Sequence, residues 1–245
     1  MAEPPVLPGA QFGRARDAHP LNEDTGGAFV EYIQFMQKNT PLLMEYGQNH
    51  LVLVLWAVAL SLLLWVPVGV LITREEKWAN RVLGVANTIF CVPSLSLFAV
   101  MVTIPFLGLG RRSALVALVL YAMMPLVRNV YQGIKGVDPS VIEAARGMGM
   151  SYWQIMREIR LPLATPVIFA GFRITAVMTT GIAAVATYIG ERNLGRLISE
   201  GLTRFNIEMI VVGALLVAAI AIVLDGLLGI VERMLVPRGL RVRRG

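Results

Sequence analysis

Reactive side chains are scarce in this 245-residue sequence, and they do not form a catalytic group. The two histidines, His19 and His50, lie far apart, and the single cysteine, Cys91, lies inside an apolar run. No cluster of Cys, His and acidic residues has the spacing of metal ligands, and no nucleophile–base pair stands out. The phosphate-binding motif G-x-x-x-x-G-K-S/T is also absent, so we expect the chain not to hydrolyse ATP. The sequence therefore predicts a non-catalytic protein without a metal or a cofactor.

The segment Asp138–Pro162 is too polar to cross a membrane, but it contains several signals for helix ends. Asp138 followed by Pro139 is typical of a helix start, because aspartate accepts from free N–H groups and proline has none to satisfy. Ser140 with Glu143 three residues later is an overlapping start of the capping-box type. Either start predicts a short helix at the beginning of the segment.

The same segment also indicates where this helix ends and where a second one begins. Gly147 and Gly149 end or bend the first helix, and Ser151 with Gln154 provides a second cap. Pro162 marks the entry to the next apolar run. We therefore expect two short helices at an angle on the cytoplasmic surface. Such a rigid element can receive a push from a soluble partner, whereas a flexible loop would absorb the motion.

Two charged residues, Arg173 and Asp225, lie deep within apolar runs. A charge inside a bilayer is costly and generally faces a partner or a water-filled cavity. We hypothesise that the two side chains form an ion pair between the fourth and fifth apolar runs. Such a pair either serves transport or only stabilises the protein.

Apolar runs dominate the composition of the chain. It is 56% hydrophobic and only 16% charged, with a mean hydropathy of +0.65, whereas soluble domains carry about 25% charged residues. The net charge of +6 does not indicate nucleic-acid binding, because the basic residues lie between apolar runs. A helix needs about 20 apolar residues to cross a bilayer. The candidate spans are Leu51–Thr73, Val82–Gly110, Ser113–Tyr131, Pro166–Gly190 and Met209–Val231.

These runs predict an all-α, multi-pass integral membrane protein of the cell membrane with about five transmembrane helices. The second run contains Pro93 and Pro105 and is long enough for a kink or a re-entrant piece, so six segments is the alternative. With the N-terminus outside, Lys and Arg are more numerous on the cytoplasmic side, as in most membrane proteins. This orientation places Asp138–Pro162 inside the cell.

The sequence divides into four parts. Residues 1–27 are polar and rich in Pro and Gly, and we interpret them as a flexible tail or as a docking peptide that orders on binding. Residues 28–50 contain an apolar stripe at helical spacing. Its members are Phe29, Tyr32, Ile33 and Met36. This helix lies either in the membrane interface or against the rest of the protein. Residues 51–236 form the membrane domain, and residues 237–245 form a basic cytoplasmic tail.

The spacing within the polar segment resembles a known signature. The positions concerned are Glu143, Ala144, Ala145, Gly149, Ile159, Leu161 and Pro162. They match the EAA signature of ABC importer permeases. Small residues at 144 and 145 permit close approach, Gly149 permits a backbone turn, and Glu143 is a candidate charged contact. In that family the segment forms a coupling helix that docks into a groove on the ATPase subunit, so the resemblance implies this role here.

Three further stretches resemble the glycine betaine, carnitine and choline permeases of osmoprotectant importers. They are Ile89–Leu97, Leu120–Val137 and Asp225–Arg233. The resemblance implies a type I importer fold, similar to methionine permeases, and import of a small osmoprotectant by alternating access. One stretch departs from the family pattern, because Glu191 and Arg192 add charges where that family is rich in glycine. These charges change either the external loop or the substrate.

The resemblance also implies partners in the membrane and on both sides of it. They are an ABC ATPase subunit, a second permease subunit, identical or related, an extracytoplasmic substrate-binding protein and membrane lipid. A quaternary ammonium solute is selected by an aromatic cage, which we expect on the binding protein. Aromatic residues of this chain either line the solute path or anchor helices at the membrane interface. The candidates are Trp65, Tyr121, Tyr131 and Tyr188.

Three alternative functions remain compatible with parts of the sequence. An importer of an amino acid such as methionine, or of another small polar solute, would share the signature. A secondary transporter or channel would work without ATP, but it predicts inverted internal repeats and gives no reason for the signature spacing. An enzyme that acts within the membrane is the third alternative.

Overall fold

The computed structural model describes residues 25–235, with side chains from 30 to 234. The helices of this part are α1 (Thr25–Lys38), α2 (Thr40–Leu71), α3 (Glu76–Cys91), α4 (Ser94–Thr103), α5 (Arg111–Lys135), α6 (Pro139–Gly147), α7 (Tyr152–Gln154), α8 (Leu161–Val185), α9 (Gly195–Arg204) and α10 (Ile207–Leu235). Short 3-10 turns follow α2 (Ile72–Arg74) and α8 (Ala186–Ile189), and a π-helical turn (Ile155–Arg160) joins α7 to α8. No strand occurs between residues 25 and 235, so the predicted all-α class is confirmed. Most of the predicted N-terminal tail and the basic C-terminal tail lie outside the described residues.

Four helical runs of the described region are long and apolar enough to cross a membrane. They are Thr40–Arg74, Arg111–Lys135, Tyr152–Ile189 and Ile207–Met234. Helices α3 and α4 supply a fifth crossing when they are taken together, although they are bent by 99° relative to each other. The prediction of about five transmembrane helices is therefore confirmed.

The bend between α3 and α4 has a local cause. Val92 and Pro93 both have extended backbones, with ψ angles of 130° and 137°. A proline disfavours helical geometry in the residue before it, so α3 ends at Cys91. The chain then begins α4 at Ser94. Of the two prolines that interrupt the second apolar run, Pro93 produces the bend.

The first membrane helix begins earlier than the sequence predicts. The predicted span starts at Leu51, but α2 starts at Thr40, with Pro41 in its first turn. Proline suits that position because its missing N–H would have no helical partner there. Polar residues between 40 and 50 end the apolar run without ending the helix, since none of them breaks the backbone hydrogen bonding. The predicted boundary at residue 50 is therefore not a structural boundary.

Helix α1 packs against the protein through one described member of the predicted stripe, Tyr32, and through Phe35, which lies off the stripe. Tyr32 and Phe35 contact a cluster that includes Leu194 of the α8–α9 connection and Met209 of α10. Ile33 and Met36, which belong to the predicted stripe, remain exposed. Phe29 also belongs to that stripe, but its side chain lies outside the described side chains. The helix therefore packs against the protein on one side, and a location of its exposed apolar side chains in the membrane interface stays a prediction.

Helices α2, α5 and α8 form the centre of the bundle, and small residues bring their backbones together. A Cβ atom built at Gly171 of α8 would lie 2.5 Å from the Cβ of Asn129 on α5. Association of helices in membranes depends on such close packing, because lipid provides little hydrophobic driving force between helices. The α5–α8 pair carries the polar segment between its ends, so this packing determines where that segment lies.

Candidate functional site

The polar segment begins with a short helix that Asp138 caps. The Asp138 carboxylate accepts hydrogen bonds from the backbone N–H and the hydroxyl of Ser140, each at 2.8 Å. These bonds lower the pKa of Asp138 below its usual value, because both favour the ionised carboxylate. Of the two overlapping starts that the sequence allows, the helix uses Asp138 with Pro139 in its first turn.

The short helix α6 ends in a Schellman motif that depends on Gly149. The N–H of Met150 donates to Ala145 O at 3.1 Å, and the N–H of Gly149 donates to Arg146 O at 2.9 Å. Gly149 has φ +82°, a left-handed conformation in which a side chain is strained. No atom lies within 4 Å of a Cβ built there. The glycine of the signature is therefore required for its backbone angle and not for space.

The second predicted cap forms, but the helix that it begins is not short. Ser151 N–H donates to the side chain of Gln154 at 2.8 Å, and Gln154 N–H donates to Ser151 Oγ at 3.4 Å. From there the helix continues as one run, Tyr152–Ile189. The prediction of two separate short helices is therefore wrong for the second one. Pro162 cannot donate to a carbonyl one turn back, and the π-helical turn just before it accommodates this loss without ending the helix.

The inner face of the segment is a small apolar core of its own. Its buried members are Val137, Ile142, Ala145 and Ile155, with Met150, Ile159 and Leu163 packed against them. Leu161 joins a neighbouring cluster that includes Val130 of α5 and Val66 of α2. Two signature residues, Ala145 and Ile159, therefore pack within the segment, and a third, Leu161, connects it to the membrane helices.

The outer face of the segment carries the remaining part of the signature. Glu143 and Ala144 are exposed on α6, on the side opposite to buried Ala145. Met148 lies at the tip of the turn, and 74% of its surface is exposed. A segment with an internal core and two capped turns can transmit a displacement as one body. This geometry suits the contact with a partner that the signature implies.

Arg173 and Asp225 lie together between α8 and α10, as hypothesised. Arg173 Nε and Nη2 donate to the two carboxylate oxygens of Asp225, each at 2.7 Å. A third bond, from Arg173 Nη1 to Glu232 Oε2 at 3.1 Å, was not predicted. Residues 225 and 232 are seven positions apart, which places them on one helix face, so the helical period was the available signal. The guanidinium also passes close to Gly229, where a built Cβ would lie 3.6 Å from Arg173 Cζ, an ordinary van der Waals contact.

The four aromatic residues predicted for the solute path lie in different environments. Trp65 donates to Val119 O at 2.7 Å, which links α2 to α5. Tyr121 is buried within the protomer, and its hydroxyl donates to Val92 O beside the bend. Tyr131 is partly buried, whereas Tyr188 is 60% exposed at the end of α8. Two of the four side chains therefore make contacts that hold helices together, and a role in the path stays a prediction for all four.

One of the two charges that depart from the family pattern, Glu191, belongs to a network at the opposite end of α8. Glu191 is only 6% exposed, and it accepts from Arg111 at 2.9 Å. Arg111 also donates to the side chain of Asn49 on α2 at 3.1 Å. Glu191 thus connects the loop after α8 to the start of α5 and to α2. Its carboxylate adds a partly buried ion pair to this loop, and an effect of Glu191 and Arg192 on the substrate stays a prediction.

Comparisons with known proteins agree with this arrangement. A family model described as a binding-protein-dependent transport system inner membrane component matches residues 65–238. The osmoprotectant import permease protein OsmW of Salmonella typhimurium is 39% identical over 215 residues, covering 86% of this chain and 100% of that protein. The carnitine transport permease protein OpuCB of Listeria monocytogenes is 40% identical over 212 residues, covering 86% of this chain and 96% of that protein.

A solved structure shares the fold at low sequence identity. An inward-facing form of the MetNI methionine ABC transporter superposes with a TM-score of 0.73. The match covers 82% of this chain and 99% of the other, at 22% identity. The family model covers most of the membrane helices and the whole polar segment. The chain therefore belongs to the family of binding-protein-dependent transport system inner membrane components, as a multi-pass permease subunit of an ABC importer.

Proposed function

We propose that this permease subunit imports a small osmoprotectant such as glycine betaine, carnitine or choline by alternating access. The observation that carries the proposal is the structure of the segment Asp138–Pro162. Its two caps, its left-handed Gly149 and its internal core make it a rigid body joined to α5 and α8. A rigid body at this place can pass on the closure of an ATPase, whereas a mobile loop cannot.

Contact with the ATPase uses the outer face of α6. Glu143 offers a charge, Ala144 permits close approach, and Met148 offers an exposed apolar contact at the tip. ATP hydrolysis itself takes place on the partner, since this chain lacks a phosphate-binding loop. The roles of Ala145, Ile159 and Leu161 are different, because these residues hold the segment together and connect it to the membrane helices.

A second permease subunit, identical or related, completes the solute path. About five membrane helices are too few to enclose a hydrophilic path easily. The Arg173–Asp225–Glu232 cluster is partly exposed in the single chain, with side-chain exposures of 24% for Arg173 and 37% for Asp225. Charges at bilayer depth face protein or water rather than lipid. The cluster therefore favours a covered face on this side of α8 and α10.

The proposed class of solute rests on the names of the relatives and on the chemistry that a quaternary ammonium group requires. The compared relatives carry names that refer to osmoprotectants and carnitine. An aromatic cage for a quaternary ammonium group needs several rings around one cation. We place that cage on an extracytoplasmic binding protein, which delivers the solute to the permease. An amino acid is the competing solute, and methionine serves as its probe.

Uptake by the reconstituted complex tests both parts of the proposal. The permease, its ATPase and its binding protein are placed in proteoliposomes with radiolabelled glycine betaine, carnitine, choline or methionine. We expect ATP-dependent uptake of at least one of the quaternary ammonium compounds and no uptake of methionine. Uptake of methionine alone would overturn the proposed class of solute, and uptake without ATP would overturn the assignment as an ATP-driven importer.

A bulky substitution on α6 tests the coupling surface. Ala144→Trp places an indole where close approach is expected, so the ATPase should no longer copurify with the permease. Lys77→Trp is the matched control, because residue 77 is exposed at the same end of the bundle but outside the segment. Equal recovery of the ATPase with both variants would contradict the proposed contact.

A further inference from the structure

A cluster of one cation and two aromatic rings joins the end of the first membrane helix to the polar segment. The guanidinium carbon of Arg74 lies 4.4 Å from the ring centroid of Trp153 and 5.3 Å from that of Tyr152. The two rings meet edge to face, with centroids 5.5 Å apart. All three distances fall within the range of favourable cation–π and aromatic contacts.

Both sides of this cluster are anchored to rigid structure. On one side, Ile72 and Thr73 are buried, and the Thr73 hydroxyl donates to Val70 O at 2.6 Å. On the other side, Tyr152 and Trp153 directly follow the Ser151 cap. The backbones that carry the arginine and the rings are therefore held in place on both sides. The contact connects two elements that are each fixed by their own packing.

We propose that Arg74 is a positioning residue that holds the polar segment against the end of α2. This inference rests on the proposed coupling function. The segment is covalently joined to α5 and α8, and Leu161 and Met156 already pack against α2. Arg74 adds a contact at the very end of α2, so that a displacement of Tyr152 and Trp153 also reaches that end. The first membrane helix then moves with the others when the ATPase closes.

The exposure of the rings explains why this contact suits coupling. Trp153 is 57% exposed and Tyr152 is 40% exposed, so water weakens the attraction in the free subunit. Cation–π attraction is stronger where the groups are desolvated. An ATPase that covers the segment excludes this water and strengthens the contact. Arg74 then holds the segment most firmly while force is applied.

A second arginine–tryptophan pair provides a matched control. Arg81 lies over the Trp78 ring at 5.2 Å, but both residues belong to α3. This pair has the same chemistry and connects no two elements. Arg81→Ala therefore removes an equivalent contact without releasing the polar segment.

The test compares ATP consumption and solute uptake in the reconstituted complex. We expect Arg74→Ala to raise the ATP hydrolysed per solute transported about fivefold, while the ATPase still copurifies normally. Trp153→Ala should behave similarly, and the double variant should be no worse than either single one, since both remove the same contact. Arg74→Lys should recover part of the coupling, because an ammonium also attracts the rings. Arg81→Ala should match the unmodified complex.

Two outcomes would overturn the inference. If Arg74→Ala and Arg81→Ala both leave the ATP-to-solute ratio unchanged, Arg74 does not position the segment. If Arg74→Ala releases the ATPase, Arg74 is instead a direct contact to the partner.

A distance measurement on the permease alone separates this inference from the proposed function. Spin labels on cysteines introduced at residues 77 and 141, with Cys91 replaced by serine, report the separation of α6 from the start of α3, which directly follows Arg74. Arg74→Ala should broaden this distance distribution, and Arg81→Ala should not. An unchanged distribution would overturn the positioning role even if the complex transports no solute.

Discussion

Replacement of Gly149 by alanine should disable coupling without unfolding the membrane domain. Residue 149 has φ +82°, and an L-residue in the left-handed region costs about 1–2 kcal/mol. That cost is small compared with the stability of a whole domain, about 5–15 kcal/mol. It is comparable, however, with the hydrogen bonds of Met150 to Ala145 O and of Gly149 to Arg146 O, each worth about 1 kcal/mol. The strain should therefore open the turn locally.

Gly147 provides the matched control within the same turn. It is the last residue of α6, its φ is not in the left-handed region, and no atom lies within 4 Å of a Cβ built there. Gly147→Ala should thus be neutral or should stabilise α6 by about 0.5–1 kcal/mol. Gly149→Asn should be milder than Gly149→Ala, because asparagine tolerates left-handed geometry better than other side chains.

Hydrogen exchange and uptake measure the two consequences. Gly149→Ala should speed amide exchange between residues 145 and 151 about 5- to 30-fold, which corresponds to the strain above, and should lower ATP-dependent uptake. The apparent melting temperature in detergent should change little. If Gly147→Ala and Gly149→Ala were equally harmful, the requirement would be for space at the partner surface, and the argument from the backbone angle would be refuted.

Three further predictions concern the membrane helices and the second cap. Arg173→Asp and Asp225→Arg should each lower the stability by about 1–3 kcal/mol. The double variant should recover part of the lost thermal stability. Adding Glu232→Gln to the double variant should improve this recovery, since the carboxylate introduced on α8 would otherwise face Glu232. No recovery in the double variant would argue against the pair. Gly171→Leu should lower stability by about 2–3 kcal/mol through its clash with Asn129, whereas Gly181→Leu on the exposed face of the same helix should be tolerated in the same melting assay. Ser151→Ala should cost about 1 kcal/mol locally, visible as faster amide exchange at residues 152–154, and Ser151→Asp should restore protection.

Helix ends in the polar segment were predictable because they depend on neighbouring residues. The cap at Ser151 and the end of α6 at Gly147 agree with the sequence prediction. The second helix was predicted as short because prolines usually mark boundaries. Its continuation through Pro162 depends on a π-helical turn and on packing of Met156 and Leu161 against α2, and a local pattern does not contain that packing.

The intramembrane charges were also predictable only in part, because the sequence indicates some of their contacts and the packing of the helices decides the others. The sequence indicates that Arg173 and Asp225 need partners, since isolated charges are costly at that depth. The third member, Glu232, lies near the end of its apolar run, where a charge needs no explanation. Only the packing of α10 against α8 brings Glu232 within 3.1 Å of Arg173.

By itself, the sequence determined the class of protein, the approximate number of membrane helices and the position of the polar segment with its signature, because hydropathy, caps and signature spacing are local properties of the chain. Apart from the Arg173–Asp225 pair, only the tertiary structure decided which distant residues meet. It placed Arg74 over Trp153, Arg111 beside Glu191, and Tyr32 against the cluster that includes Met209 of α10. These contacts join residues far apart in the chain, and their geometry follows from how the helices pack.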